Sequence, residues 1–380
     1  MSSPLCDRLG IDFPLFAFSH CRDVVAEVSR AGGMGVFGAA TMSAEQLETE
    51  LSWIDAHVDG KPYGVDLLIP DKVLGKGESF DGERMLGGVP EDHKSFANSI
   101  LAKSGIDADG IEDARRGAIQ ITRNLHPSGA EEAMEVAFGH PIALIANALG
   151  VPPESMLARG KAHDVAVAAL VGAKEHAVRQ AAAGVDILIA AGGEAGGHCG
   201  DISTMVLVPD VVEAVRPYGD IPVLGAGGIV TGRQMAACMA MGAAGVWTAS
   251  VWLTTPEAET NPVVKDKMLA ASARDTIRSR SRTGKPSRQL KSAWTEAWER
   301  PDAPAALPMP LQSMVSEPAL SKVDKLSQQG HSGAQELATY WVGQGVGLMN
   351  ESRSVRAVVQ DFQEDFLAAH ERLNAFLSGV

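Results

Sequence analysis

The 380-residue chain has few cysteines and no excess of basic residues, and both shortages exclude certain classes of site and partner. The four cysteines, Cys6, Cys21, Cys199 and Cys238, lack the paired spacing of a metal site. We therefore expect no metal and reduced thiols, as in a cytoplasmic protein. Acidic residues outnumber basic ones by 47 to 33, for a formal net charge of −14. This charge argues against nucleic acid and anionic membranes as partners.

Long apolar runs are also missing. No stretch reaches the roughly 20 apolar residues that span a bilayer. The first eight residues do not form a basic region followed by an apolar signal core. We therefore expect a cytoplasmic protein that does not contact membranes. What the chain does have is 45% hydrophobic residues and 40 glycines, which suit a buried parallel sheet with many tight turns.

Short apolar runs alternate with helical patterns, which predicts a parallel α/β fold. The predicted strands lie near 13–18, 34–38, 63–69, 142–146, 165–170, 185–190, 221–225 and 245–250. The predicted helices are 21–31, 43–58, 129–138, 173–183, 208–216 and 231–241. Eight strands favour a (β/α)₈ TIM barrel. A doubly wound open sheet is the alternative, but its first glycine-rich turn should follow the first strand, whereas here the glycine-rich ends fall mostly on strands six to eight.

Two regions interrupt this alternation. Residues 70–128 are mostly polar, contain a helix-like stretch at 90–97 and follow the third strand, so we interpret them as a loop region inserted at the catalytic end of the barrel. Residues 256–340 contain a basic run, 274–288, and a proline-rich run, 301–310. The basic run either recognises an anionic substrate tail or forms a solvated helix-and-turn surface. Its cluster consists of Arg278, Arg280, Arg282, Lys285 and Arg288.

The glycine-rich run 191–200 is the most informative motif, because it follows a strand-like run and contains one histidine. Its five glycines allow backbone to approach a ligand closely. His198 has an unperturbed pKa suited to proton transfer near neutral pH. The alternative is a flexible turn with an incidental histidine. The sequence thus nominates His198 as the catalytic residue.

A second glycine motif ends the seventh predicted strand at Gly227 and Gly228, and the eighth strand ends at Ser250. Two consecutive strand ends of this kind can direct backbone N–H groups at one phosphate, as in many (β/α)₈ barrels. The alternative is close packing of strands on helices, for which small residues suffice. The motif therefore predicts a phosphate site.

Together these motifs resemble those of the nitronate monooxygenase (2-nitropropane dioxygenase) family of FMN-dependent enzymes. The matching blocks are 14–16 with 30–35, 194–198, 226–229 and 343–347. The resemblance implies FMN as cofactor and a helical lid or substrate subdomain over 256–340. It also implies an FMN-binding barrel over 1–255, with the insertion at about 70–128, and a C-terminal segment, 341–380, that returns to the barrel.

The resemblance further implies which residues bind the cofactor. They are Phe18, Ser19, His20, Asp66, Ala191, Gly196, Gly197, Gly227, Gly228, Trp247, Thr248, Ala249 and Ser250. Several depart from the family pattern. Asp66 replaces an asparagine, Ala191 a glutamine, His20 a methionine and Ala249 a glycine. An ionised aspartate only accepts hydrogen bonds, whereas asparagine also donates them.

The function that the resemblance implies is oxidation of a nitronate, with O₂ as co-substrate and with a carbonyl compound and nitrite as products. The alternative is a flavin-dependent enoyl or ketone reductase that uses NAD(P)H and an acyl thioester. A flavin-binding protein without activity is the third hypothesis. We expect a small-molecule substrate and a homodimer. The changes around the flavin ring predict slow turnover of small alkyl nitronates.

Overall fold

The computed structural model describes residues 3–40, 42–69, 81–124 and 127–379. The strands are β1 (Leu15–Ser19), β2 (Met34–Gly38), β3 (Tyr63–Leu67), β4 (Leu144–Asn147), β5 (Ala166–Val171), β6 (Ile187–Ala191), β7 (Gly197–His198), β8 (Val223–Ala226), β9 (Gly245–Thr248), β10 (Thr276–Ser279) and β11 (Ser287–Leu290). The helices are α1 (Pro4–Leu9), α2 (Arg22–Arg30), α3 (Ala44–His57), α4 (Gly82–Gly87), α5 (Glu91–Lys103), α6 (Ile111–Asn124), α7 (Pro127–Phe138), α8 (Glu154–His163), α9 (Lys174–Ala183), α10 (Thr204–Val215), α11 (Gly232–Ala240), α12 (Pro262–Ala270), α13 (Ala293–Trp298), α14 (Leu311–Gln328), α15 (Ser332–Leu337) and α16 (Val355–Ser378).

Eight of the strands close into a parallel barrel in the order β1-β2-β3-β4-β5-β6-β8-β9, with β9 paired to β1. Each of the eight predicted strands overlaps one of these, so the predicted (β/α)₈ barrel is confirmed. The doubly wound open sheet is wrong, because the sheet has no open edge.

Alternate residues of the barrel strands face the interior and form one buried cluster that includes Phe16, Met34, Ile189 and Trp247. The intervening residues pack outward on the helices. Val65, for example, belongs to a cluster with residues of α3 and α7. Helix α1 adds Leu5, Cys6 and Leu9 to the interior cluster. Because α1 precedes β1, it covers the N-terminal end of the barrel and leaves the C-terminal end for a site.

The described part of the insertion after β3 is mostly helical. The helix-like stretch 90–97 falls on α5, and the loop prediction is wrong for α4 and α6. Helices α4, α5 and α6 occupy most of residues 82–124 and pack against α14. Apolar residues recur at helical spacing in α5, where Ala97, Ile100 and Leu101 are buried. The segment 70–80 lies outside the described residues.

Helix α8, between β4 and β5, was not predicted. It begins after two prolines and buries only Met156 and Gly160, so its apolar pattern is weak. Helix α10 begins at Thr204, four residues before the predicted start, and carries Pro209 inside it. Helix α16 returns the chain to the barrel by packing on α11 and α2. Gly232 of α11 has no room for a Cβ against the backbone of Phe362, so these helices meet closely.

The basic run forms a β-hairpin and not the helix-and-turn surface of the prediction. Strands β10 and β11 pair antiparallel, and β11 also pairs with β7. This three-stranded sheet places residues 276–290 beside the glycine-rich run after β6. Helices α12 to α15 make up most of the rest of 256–340, and its role as a separate lid subdomain stays a prediction. Among the described residues, no helix combines the length and apolarity needed to cross a membrane.

Candidate functional site at the C-terminal end of the barrel

Two aromatic side chains line the barrel interior near its C-terminal end. The rings of Phe18 and Trp247 lie 6.4 Å apart and nearly stacked, with Phe16 beneath at 6.3 Å from Trp247. Trp247 pairs in register with Ala226, and Ala226 with Ala191. Both alanines are buried in the same interior cluster. Three of the predicted cofactor-binding residues, Phe18, Trp247 and Ala191, therefore lie along one continuous arc, with Ala226 between the last two.

His20 follows β1 on the other side of Phe18. Its Nδ1 lies 2.8 Å from the carbonyl oxygen of Gly38, so Nδ1 donates and Nε2 is left as an acceptor. Burial lowers the pKa of His20, the bond to Gly38 opposes this, and the positive charge of Arg282 lowers it further. Gly38 was not nominated from the sequence. A Cβ there would lie 2.7 Å from the Phe18 ring and 2.8 Å from His20.

Asp66 faces the interior from β3, in register with Gly38 and Ala146. The residue is 4% exposed, and its Oδ1 has no hydrogen-bond partner within the described part of the chain. Burial raises the pKa of Asp66 to about 8. The carboxyl is therefore mostly protonated at neutral pH and can donate as well as accept. This corrects the expectation that an aspartate here would only accept.

The glycines after β8 adopt backbone conformations that side chains disfavour, with φ of 108° at Gly227 and 69° at Gly228. Neither amide donates a hydrogen bond to any other residue that the structure describes. A Cβ on Gly228 would lie 3.1 Å from Cβ of Glu194. The loop thus presents two unused N–H groups at the C-terminal end of β8, where a phosphate was predicted.

Ser250 and Gly196 lie near this loop and contact the C-terminal segment. The hydroxyl of Ser250 accepts a hydrogen bond from the amide of Gly343 at 2.9 Å. A Cβ on Gly196 would lie 2.8 Å from the same amide, and a Cβ on Gly345 would lie 2.7 Å from the Gly228 carbonyl oxygen. The three glycine motifs noted in the sequence therefore pack on one another.

Two predicted residues have hydroxyl groups that are occupied within the protein. Ser19 accepts from the amide of Cys21 at 3.0 Å. Thr248 donates to the carbonyl of Phe16 at 2.9 Å and accepts from the indole of Trp252 at 3.0 Å. Ala249, which follows β9, has no polar side-chain atom to contribute. Contacts of these three residues with a cofactor stay predictions.

His198 lies on β7, directly opposite Ser287 of β11, and Gly197 lies opposite Arg288. Its Nε2 is 2.8 Å from Oγ1 of Thr283, a buried residue in the turn of the hairpin. Burial lowers the pKa of His198 to about 4, and the charge of Lys285 contributes. The imidazole is therefore uncharged near neutral pH.

The basic cluster divides into internal and exposed members. Arg282 is buried, pairs with Glu317 at 2.7 Å and lies 3.8 Å above the Trp341 ring. Arg288 donates to the carbonyl of Gly193 at 2.8 Å. These two are structural, so an anionic tail would have to use other residues.

Arg278 and Arg280 are exposed and line a groove of about 480 Å³ along β10. The opposite side of the groove includes Trp298, Glu299 and Pro304. Arg278 also reaches the carbonyl of Cys199 at 3.3 Å. Recognition of an anionic tail by these two arginines stays a prediction.

One group of side chains has the composition of a metal site, although none was expected. The ligand atoms of Cys21, Asp23 and Glu259 lie within 4.8 Å of one another. The thiol of Cys21 donates to the carbonyl of Glu257 at 3.1 Å, and burial raises its pKa, so it stays protonated. The expectation of no metal stays a prediction.

The chain is similar in sequence to known proteins. A family model described as nitronate monooxygenase matches residues 3–365. A Mycobacterium tuberculosis protein named as a candidate monooxygenase is 52% identical over 369 residues, which cover 97% of each chain. A Staphylococcus saprophyticus protein named as a candidate nitronate monooxygenase is 28% identical over 308 residues, or 77% of this chain and 79% of that one.

Solved structures share the fold. A nitroalkane oxidase from Streptomyces ansochromogenes has a TM-score of 0.77 at 24% identity and covers 98% of this chain and 100% of its own. FabK from Thermotoga maritima has a TM-score of 0.72 at 24% identity, with 99% of both chains covered. Because the family model spans nearly the whole sequence, this chain belongs to the nitronate monooxygenase family of flavin-dependent oxidoreductases.

Proposed function

We propose that this enzyme binds FMN at the C-terminal end of the barrel and uses it, with O₂, to oxidise a nitronate. The observation that carries the proposal is that each of the two histidines has a cationic side chain in its surroundings. Burial is the main cause of the lowered pKa of His20 and of His198, and the charges of Arg282 and Lys285, respectively, lower them further. Cations beside uncharged imidazoles attract an anionic group such as a nitronate.

The phosphate end of the site fits a mononucleotide. The amides of Gly227 and Gly228 have no acceptor among the described residues, and backbone N–H groups at strand ends are common phosphate ligands. A side chain at Gly228 would lie in close contact with Cβ of Glu194, at 3.1 Å. One such cradle suits the single phosphate of FMN.

The ring end also fits a flavin. A flavin ring carries donors and acceptors along one edge, and Asp66 offers a neutral carboxyl that can match either kind. Its Oδ1 is buried and unpartnered, so a ligand group there would satisfy it. Phe18 and Trp247 provide apolar surface on the neighbouring strands.

When bound, FMN supplies the redox chemistry. The side chains of the protein handle the proton and orient the groups around the substrate. His198 contacts the substrate and exchanges a proton with it, while His20, tied to Gly38, keeps a fixed orientation with Nε2 free to accept. Lys285 of the hairpin, whose charge adds to the effect of burial on the pKa of His198, stabilises a substrate anion at this place.

Nitrite formation tests this function. Holoenzyme in air is given propionate-3-nitronate, and nitrite and O₂ uptake are followed. We expect nitrite to appear and His198→Ala to form at least about a hundredfold less, as for loss of a proton-transfer group. Absence of nitrite together with rapid oxidation of NADH or NADPH would reject the proposal. The homodimer and the cytoplasmic location stay predictions.

A further inference from the structure

The hydroxyl of Thr283 has three polar neighbours and a single proton. Oγ1 lies 2.8 Å from Nε2 of His198, 3.2 Å from the carbonyl oxygen of Lys285 and 3.3 Å from the amide nitrogen of Lys285. The carbonyl can only accept and the amide can only donate. All three contacts are hydrogen bonds only if the hydroxyl donates to the carbonyl and accepts from both nitrogens. Nε2 of His198 then carries the imidazole proton.

From this accounting we propose that Thr283 is a positioning residue that holds His198 as its Nε2–H tautomer, so that Nδ1 is the proton acceptor offered to substrate. Nδ1 has no partner within the described part of the chain, whereas Nε2 is engaged. The inference rests on the proposed function, because it assigns the direction of proton transfer at the same site. Under this proposal, Nδ1 of His198 accepts a proton from the substrate rather than donating one to an anionic substrate.

Thr283 is well placed to hold the ring still. The residue is 6% exposed and belongs to the turn between β10 and β11, while His198 is paired to β11 through its own backbone. The preceding residue, Arg282, ties the turn to Glu317 of α14 with bonds of 2.7 and 3.1 Å. Both ends of the His198–Thr283 bond are therefore fixed by separate elements.

The surroundings of His198 also keep it unprotonated before substrate binds. Burial lowers its pKa to about 4, with Lys285 contributing. The nitronate anion that forms beside the ring stabilises the protonated imidazole and so raises the affinity of Nδ1 for a proton. The ring is thus ready to accept a proton from the α-carbon of a nitro compound, giving the nitronate and an imidazolium. The nitro group retains the electron pair, so the step needs no other reactant.

Imidazole ¹⁵N resonances test the tautomer without any turnover. Holoenzyme labelled at its histidine rings is compared with His198→Ala to assign the two His198 nitrogens. We expect Nε2 protonated and Nδ1 unprotonated in the wild type at pH 7.5, and a mixture in Thr283→Val, which keeps the shape but removes the hydroxyl. A protonated Nδ1 in the wild type, or unchanged resonances in Thr283→Val, would overturn the proposal.

Flavin reduction under anaerobic conditions tests the consequence. With neutral nitroethane, Thr283→Val should reduce the flavin at least about tenfold more slowly, because the acceptor atom is no longer held in place. With pre-ionised ethylnitronate the loss should stay below about threefold, because no proton has to be removed. Thr283→Ser, which restores the hydroxyl, should recover most of the nitroethane rate. Equal losses with both substrates, or no recovery by serine, would mean that Thr283 only supports the fold.

Thr339→Val is the matched control, since it removes a buried threonine hydroxyl bonded to the carbonyl of Leu290 on the same sheet. It should leave both rates unchanged. If the wild type oxidises ethylnitronate but not nitroethane, the acceptor role is wrong while the proposed function stands. If neither reduces the flavin, the proposed function fails, and the ¹⁵N resonances still decide the role of Thr283.

Discussion

Asp66→Asn should make the protein less sensitive to pH, and the size of the effect follows from the burial of this one carboxyl. Burial raises the pKa of Asp66 from 3.8 to about 8. A carboxyl with a raised pKa in the folded state contributes fully to stability below pH 3.8 and loses that contribution as the pH rises to about 8. The wild type should therefore lose stability across this range relative to the variant.

The range from pH 5.5 to 8.0 covers more than half of this window. Each pH unit inside the window is worth about 1.4 kcal/mol, so the unfolding free energy of the wild type should fall by about 3 kcal/mol more than that of Asp66→Asn. An unfolding entropy of about 2.1 cal/mol/K per residue amounts to about 0.8 kcal/mol/K for a chain of this length. The expected difference in Tm is therefore about 4 °C.

The assay is thermal unfolding of the two holoproteins at pH 5.5 and pH 8.0, followed by circular dichroism. Asp220→Asn makes the same exchange at an exposed position and is the control. Its Tm should have the same pH dependence as that of the wild type. If wild type and Asp66→Asn have parallel pH dependences, Asp66 is hydrated or ionised in the folded protein. The neutral carboxyl assigned to the flavin site would then be wrong.

Three further predictions concern the site. His198→Ala should retain flavin but reduce it at least about a hundredfold more slowly in stopped-flow absorbance; full activity would make His198 structural. Gly228→Val should lose FMN on gel filtration, whereas Gly60→Val, with nearly the same φ but nothing within 4 Å of its Cβ, should retain it; loss in both would indicate misfolding. Replacing Arg278 and Arg280 with alanine should raise the KM for a carboxylate-bearing nitronate severalfold at constant FMN content; an unchanged KM would make them solvated surface.

The barrel could be predicted from the sequence because its strands are short apolar runs separated by helical patterns. The run before Gly227, for example, is bounded on both sides by turn residues, and β8 was found there. Strands β10 and β11 were missed for the opposite reason. Their sequences, rich in serine and arginine, have low β propensity, and pairing with β7 determines their structure.

Only those features of the site that depend on local sequence motifs could be predicted. The position of Asp66 at a strand end could be inferred, but its protonation depends on burial by many distant residues. Thr283 lies 85 positions from His198, and Glu317 lies 35 from Arg282, so neither partner has a local signal. For Arg282 the sequence left two alternatives, a substrate contact or solvated surface, and the structure shows a buried pair with Glu317 that the sequence could not indicate.

Anaerobic reduction of the flavin tests the central claim most directly. Holoenzyme is mixed without O₂ with propionate-3-nitronate, and separately with NADH and NADPH, while flavin absorbance is followed. The proposed oxidation of a nitronate with O₂ predicts rapid bleaching by the nitronate and none by either nicotinamide. Rapid bleaching by NADH or NADPH, with a flavin that stays oxidised in the presence of the nitronate, would contradict the account and favour a reductase.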